Sequence, residues 1–265
     1  MQTTIEDDLL AQLREAIHTR LAPRRHTVLL IAIVAAFLVR PLIGDSGSGP
    51  PIFSLAMLVL LLLALYNINV DELVGEREIL LAQRRRRSFI AWMLAVPAIA
   101  QRFVIPFAPS HSLYLSGSIV WLLLFAYITW NELRAVLKQK EITREVISMS
   151  ISVYLLFGLT FGLFYIVLHD LQPSAFSFGA AGPASEQQTI PVLIYFSLTT
   201  LSTIGFGDIT PITLQARYAA VAEGITGQFY LAILVARLVG MQMSQSAVQT
   251  VEPKTRDSDT KKSSA

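Results

Sequence analysis

Residues 195–211 read Tyr195-Phe196-Ser197-Leu198-Thr199-Thr200-Leu201-Ser202-Thr203-Ile204-Gly205-Phe206-Gly207-Asp208-Ile209-Thr210-Pro211. The apolar run that leads into this stretch, residues 190–201, is too short to cross a membrane. A helix needs about 20 apolar residues to span a hydrocarbon core of about 30 Å. The run is long enough for a half-membrane helix, a re-entrant element tolerated only where protein or water surrounds it. Directly after it, Gly205 and Gly207 alternate with larger residues. Longer apolar runs flank the stretch. One covers residues 146–168; the other, 216–243, is interrupted by Glu223, Gly224, Gly227 and Arg237. The pattern predicts span, re-entrant helix, glycine-bearing ribbon, span.

The rest of the chain fits the same setting. Of 265 residues, 53% are hydrophobic and 15% charged, against about 25% charged in an ordinary soluble domain. Mean hydropathy is +0.54. These values exclude a typical soluble enzyme and a disordered chain. A net charge of +2 with scattered basic residues gives no footprint for nucleic acid. With no cysteine, disulfides, thiolate metal sites and cysteine nucleophiles are excluded. His18, His26, His111 and His169 show no ligand spacing.

Four more apolar runs precede the pair, at 27–43, 52–70, 88–107 and 113–130. The first follows Arg24 and Arg25 but has a long polar lead and no small-x-small cleavage site, so it is expected to be a retained span. Lysine and arginine recur in every second connection: Arg14, Arg20, Arg24 and Arg25; then Arg77, Arg84, Arg85, Arg86 and Arg87; then Arg134, Lys138, Lys140 and Arg144; then Lys254, Arg256, Lys261 and Lys262. The alternate connections, 44–51, 108–112 and 169–189, have none. Positive residues accumulate on the cytoplasmic side. The pattern predicts six crossings in a cell (plasma or inner) membrane, with both termini cytoplasmic.

The string Ser202-Thr203-Ile204-Gly205-Phe206-Gly207-Asp208 resembles the potassium-channel signature. The wider match over residues 195–211 covers a helix, the filter and an outer turn. With its two spans, the resemblance covers about residues 146–243. A Gly-x-Gly alone marks only a turn; the whole string, in a re-entrant position between two spans, is far more specific. The resemblance implies an all-α membrane protein with six transmembrane helices, a re-entrant pore helix and a selectivity filter, working as a homotetrameric channel. Each chain carries one filter, and in the family four stand around one pore.

The residue types make chemical sense in that role. A dehydrated cation needs oxygens in place of its water. Backbone carbonyls of Thr203, Ile204, Gly205 and Phe206 supply them if they face one axis, with the Thr203 hydroxyl adding another at the inner mouth. Such a ribbon alternates right- and left-handed residues, and glycine adopts the left-handed form at low cost. Gly207 closes the alternation. Potassium is thus the permeant ligand, and no cofactor is expected. The C-terminal end of the preceding helix carries partial negative charge, which favours a cation below it. Thr199, Thr200, Ser202 and Asp208 are expected to support the filter.

Three positions depart from the commoner family pattern or stand out beside it. Phe206 replaces a tyrosine and lacks its hydroxyl. Thr199 stands where some members have a glutamate, so Asp208 is expected to lose that carboxylate partner. Glu223 is the carboxylate well inside a span, where an unpaired charge is expensive; it is expected to brace the pore helix rather than bind an ion. Gly224 and Gly227 are the candidate gating hinges, because glycine lowers the cost of bending a helix; close packing is the alternative for Gly227. Gly158 and Gly162 are read as packing residues. Arg237 is expected to snorkel to headgroups.

The remaining parts are expected as follows: 1–26, a cytoplasmic amphipathic helix carrying Ile5, Leu9, Leu13 and Ile17; 27–131, a four-helix membrane unit; 132–145, an interfacial linker; 146–243, the pore domain; 244–265, a disordered cytoplasmic tail. The fourth run has no lysine or arginine. Steep voltage gating needs several charges, each yielding only about 2.3 kcal/mol per 100 mV, so conventional voltage gating is not expected. Arg84, Arg85, Arg86 and Arg87 are expected to anchor on the positive side and to contact anionic lipid. Together these features predict passive potassium conduction and no enzymatic activity. The rivals are a nonconducting membrane receptor or scaffold with a vestigial pore, and a subunit related to potassium transporters. An accessory protein is neither implied nor excluded.

Overall fold

A computed structural model describes residues 25–43, 49–70, 78–104, 110–139, 141–179 and 186–260. Among these residues the elements run α1 (Arg25–Ile43), α2 (Gly49–Val70), α3 (Glu78–Val104), α4 (His111–Lys138), α5 (Arg144–Leu171), β1 (Phe176–Ser177), α6 (Glu186–Leu201), β2 (Thr210–Pro211) and α7 (Leu214–Thr260). Among the described residues three segments are long and apolar enough to cross a membrane: His111–Lys138, Arg144–Leu171 and Leu214–Met243. Arg25–Leu38, Leu58–Asn67 and Thr189–Leu201 are shorter apolar helical stretches among the described residues. The amphipathic helix expected over residues 1–26 lies outside the described residues, apart from Arg25 and His26.

Local chemistry sets the two long central helices. Ser110 and Thr143 stand in extended conformation just before α4 and α5, and their side chains accept from the amides of Leu113 and Val146 at 3.3 Å each. Each hydroxyl satisfies one amide that the first helical turn leaves without a partner.

The helices share one apolar interior. Leu29 and Ile33 of α1, Leu60 and Leu61 of α2, Ala91 and Ala95 of α3, and Leu124, Phe125 and Ile128 of α4 pack with Leu156 and Leu159 of α5 and Ile194 of α6. The four-helix part therefore shares a core with α5 and α6. A second cluster joins Tyr165, Phe176, Leu193, Phe196, Ile209 and Ala216. Within it, the Tyr165 ring meets Phe176 and Phe196 edge-on at 5.5 and 5.1 Å, the arrangement ring quadrupoles favour. The two short strands pair antiparallel, Phe176 with Pro211 and Ser177 with Thr210. They clip the segment after α5 to the segment after residue 208.

Two boundaries differ from expectation. The charged stretch expected as a separate interfacial linker is mostly the end of α4, which continues to Lys138 with Glu132 and Val136 buried; a short elbow then leads into α5. Its amphipathic pattern suits a membrane surface or a continuing helix equally well, and buried partners for Glu132 and Val136 decide for the helix. Likewise, the tail expected as disordered from residue 244 is helical to Thr260. Extending an existing helix avoids the cost of nucleation, and residues 244–260 continue α7.

Candidate functional site

Helix α6 lies in a seam of α5 made by two glycines. A Cβ added at Gly158 would meet Leu198 Cδ2 at 2.6 Å, and one at Gly162 would meet the Ile194 Cα at 3.0 Å. Glycine here permits close approach, as small residues do between membrane helices. Three side chains then fix α6 in place. The Ser197 hydroxyl donates to the Gly158 carbonyl at 2.7 Å and contacts Glu223 Oε1. Tyr165 donates to Glu223 Oε2 at 2.6 Å. Tyr154 donates to the Leu201 carbonyl, at the end of α6, at 3.2 Å. Glu223 is 0% exposed and thus links α7 to both α5 and α6, next to the helix that holds the ribbon.

The ribbon begins as a wrap around the end of α6. Ser202 N and Oγ both reach the Leu198 carbonyl, at 3.0 and 2.7 Å. Thr203 N donates to Thr200 O at 3.0 Å; Ile204 N and Gly205 N both donate to Thr199 O, at 2.8 and 3.2 Å. The Thr199 hydroxyl turns back to Phe196 O at 2.9 Å. Thr199 and Thr200 thus hold the ribbon through their carbonyls.

From there the backbone alternates. Thr203, Gly205 and Gly207 have φ of 58°, 55° and 80°, and Thr203 is the one non-glycine residue with positive φ among those described. Ile204 and Phe206 between them do not share that conformation. A left-handed residue with a side chain is strained by about 1 kcal/mol or more, so Thr203 is held there by its surroundings. A Cβ at Gly205 or Gly207 has nothing within 4 Å; glycine is needed there for its backbone angle. Residues 203–208 are all exposed in the single chain.

At the other end of the ribbon, Asp208 finds a partner the sequence reading did not foresee. Its Oδ2 accepts from the Tyr195 hydroxyl at 2.9 Å and its Oδ1 from Ile209 N at 3.0 Å. The Tyr195 ring stacks on Phe206, with centroids 6.2 Å apart and planes 4° from parallel. With threonine at 199 no carboxylate is offered from that position, and the Tyr195 hydroxyl, one helical turn earlier on α6, is the partner Asp208 has instead.

The hinge candidates separate. A Cβ at Gly227 would lie 2.5 Å from Leu201 O and 2.9 Å from Leu201 Cδ1, whereas at Gly224 the nearest atom, Thr200 O, is 3.8 Å away. Close packing accounts for Gly227, and α7 runs unbroken past both. Arg237 does not snorkel free. Its guanidinium donates to the carbonyls of Val136 at 2.6 Å, Leu137 at 2.9 Å and Gln139, the last turn and cap of α4. Of the arginine cluster, Arg86 is exposed and the Arg87 carbonyl accepts from Tyr127 at 3.0 Å; the side chains of Arg84 and Arg85 lie outside the described residues. Tyr195, Tyr165, Ser197 and Tyr154 went unnoticed as site residues. The one signal available was spacing: Tyr195 and Ser197 lie on the helix leading into the ribbon.

Two spans around a re-entrant helix and a ribbon of alternating handedness define a pore-loop ion channel. The family described as "Ion channel" matches residues 149–243, which hold most of α5, all of α6, the ribbon and α7 up to Met243. The potassium channel protein kcv of Paramecium bursaria Chlorella virus 1 is 35% identical over 72 residues, which cover 26% of this chain and 76% of that protein. No solved structure matches. The chain belongs to the potassium channel family.

Proposed function

We propose that four copies of the chain surround one pore, and that potassium crosses it passively through rings of carbonyl oxygens from Thr203, Ile204, Gly205 and Phe206, closed by Gly207. The observation that carries this is the alternation of handedness at 203, 205 and 207, in a ribbon exposed at the surface of a single chain. A cage of oxygens around one cation takes several such ribbons, and each chain has one. Thr199, Thr200, Ser202, Asp208 and Glu223 support the ribbon from behind. No cofactor takes part.

The remaining proposals rest on charge placement. Six crossings with both termini in the cytoplasm of a plasma or inner membrane follow from the distribution of lysine and arginine. In α4 the basic residues are Arg134 and Lys138, near its end, and the Arg134 guanidinium lies over the Trp130 ring at 4.5 Å. A helix without charges in its middle senses voltage weakly, so opening is not steeply voltage-dependent. Arg84, Arg85, Arg86 and Arg87 meet anionic lipid at the start of α3.

Purified protein in planar bilayers tests the whole reading. Expected are single-channel currents that reverse at the potassium equilibrium potential, a shallow conductance–voltage curve, and a chemical cross-linking ladder that ends at four. Intact tetramers without current would identify a nonconducting scaffold.

A further inference from the structure

One carboxyl and two hydroxyls meet where α5, α6 and α7 cross behind the ribbon. Glu223, Tyr165 and Ser197 are each 0% exposed in the single chain, so a neighbouring copy does not reach them. Glu223 Oε2 is 2.6 Å from the Tyr165 hydroxyl. Glu223 Oε1 contacts Ser197 Oγ, and the same Oγ stands 2.7 Å from the Gly158 carbonyl. Among the described residues no cation pairs with this carboxyl. The titratable groups that face it are Tyr165 and Tyr154, both on α5. Helix α6 presents Ser197. On α7 itself Arg217 and Tyr230 are turned elsewhere, to the carbonyls of Pro211 and Ser150.

Counting hydrogens fixes the state of the carboxyl. Three oxygen–oxygen contacts need three hydrogens. A carbonyl has none, and a tyrosine or serine hydroxyl has one. The Tyr165 hydrogen serves Oε2. The Ser197 hydrogen serves either Gly158 O or Glu223 Oε1, and whichever it serves, the other contact sets two bare oxygens face to face. The third hydrogen therefore belongs to Glu223. With it on Oε1 the set becomes a one-way chain: Tyr165 donates to Oε2, Oε1 donates to Ser197, and Ser197 donates to Gly158 O. The charge argument points the same way by a separate route. A carboxylate here would be a buried ion without a partner, which is expensive inside a membrane.

We infer that Glu223 is a proton-binding site: a neutral carboxylic acid whose hydrogen fastens α7 to α6, and whose loss loosens the hold of α6 on the ribbon. Ser197 lies just before Thr199, whose carbonyl receives the amides of Ile204 and Gly205. When the Oε1–H bond breaks and water takes the proton, Ser197 turns its hydrogen to the carboxylate and lets go of Gly158. The bare charge then draws water into the crossing, and the three helices no longer pack as one. Potassium conduction falls on the alkaline side as the proton is lost. The conduction half rests on the channel reading above; the proton site does not.

The test has two arms. In the full chain in lipid, infrared difference spectra of the parent against Glu223→Gln isolate the band of a protonated carboxyl at neutral pH, where exposed carboxylic side chains are ionised. Expected is a band that Glu223→Gln removes, that Tyr165→Phe shifts to higher frequency because the C=O loses a donor, and that gives way to a carboxylate band as pH is raised. Glutamine copies the neutral acid, with an amide hydrogen for Ser197 and an oxygen for Tyr165. Glu223→Gln is therefore expected to melt like the parent at acid pH and to keep that melting temperature at alkaline pH, where the parent's drops. In liposomes, potassium flux through the parent falls as pH rises, and Glu223→Gln removes the fall. No protonated-carboxyl band at neutral pH, a glutamine variant that melts well below the parent at acid pH, or an identical pH–flux curve in Glu223→Gln overturns the inference. Absence of flux at every pH, with the band and its shifts intact, counts against the channel function and for the proton site.

Discussion

Tyr195 and Asp208 are joined by a 2.9 Å hydrogen bond while the ring of the same tyrosine stacks on Phe206. One side chain of the pore helix thus holds the ribbon at two points. The pairing explains how a ribbon with phenylalanine at 206 stays tied to the helix behind it. Tyr195→Phe keeps the stack and removes the bond. The expected result is retained potassium selectivity with faster decay of current during sustained opening, by about threefold or more for loss of one hydrogen bond. Macroscopic current relaxations measure it; unchanged decay would show that the bond does not steady the filter.

Gly205 and Gly227 look alike in sequence and differ in cause. At Gly205 space is open and φ is +55°, so Gly205→Ala acts through backbone strain of about 1–2 kcal/mol per chain. Relief comes from rotating the peptide, which turns a carbonyl away. Expected is a clear fall in the potassium-to-sodium permeability ratio, or loss of current, with assembly intact. Reversal potentials under bi-ionic conditions decide this, and an unchanged ratio would mean that the carbonyl array tolerates the strain.

At Gly227 the obstacle is steric. Gly227→Ala forces a methyl against Leu201 O, whereas Gly224→Ala finds its nearest atom at 3.8 Å. Overpacking of this kind costs about 1–3 kcal/mol. Gly227→Ala is therefore expected to lower the melting temperature of the purified protein, and Gly224→Ala to leave it nearly unchanged. If instead both melt normally and both reduce opening, these glycines act as hinges and packing is secondary.

The ribbon was readable in the sequence because its chemistry is local. Gly205 and Gly207 are required by backbone angles, and those show as residue types at fixed spacing. The apolar stretches of α4, α5 and α7 were readable for the same reason. Contacts between distant segments were not. Glu145 caps α1 across 118 and 119 positions, and no pattern within either helix announces it. Arg237 had the composition of a snorkelling residue, and only the fold places carbonyls of α4 within its reach. Glu223 fell between these cases: its cost in a span marked it as needing partners, while Tyr165 and Ser197 were visible only once α5 and α6 were packed.

Arg237 carries the last prediction. Its fork bonds the carbonyls of Val136, Leu137 and Gln139, at a helix end where carbonyls run short of amide partners; the Val136 carbonyl also accepts from Gln139 N at 3.2 Å. A cation there also complements the negative end of the α4 dipole. The contact ties the inner part of α7 to the elbow of the same chain, so any tilt of α7 away from α4 must break it. Lysine brings a point charge without the planar fork. Arg237→Lys should therefore keep the charge and lose part of the clasp, and Arg237→Gln should lose more. Stability is expected to fall in that order, by about 1–3 kcal/mol for the glutamine variant, together with a graded change in open fraction. Thermal unfolding and single-channel open probability on the same preparations measure both. A glutamine variant as stable as the parent and with the same open probability would show that α7 and the elbow move independently.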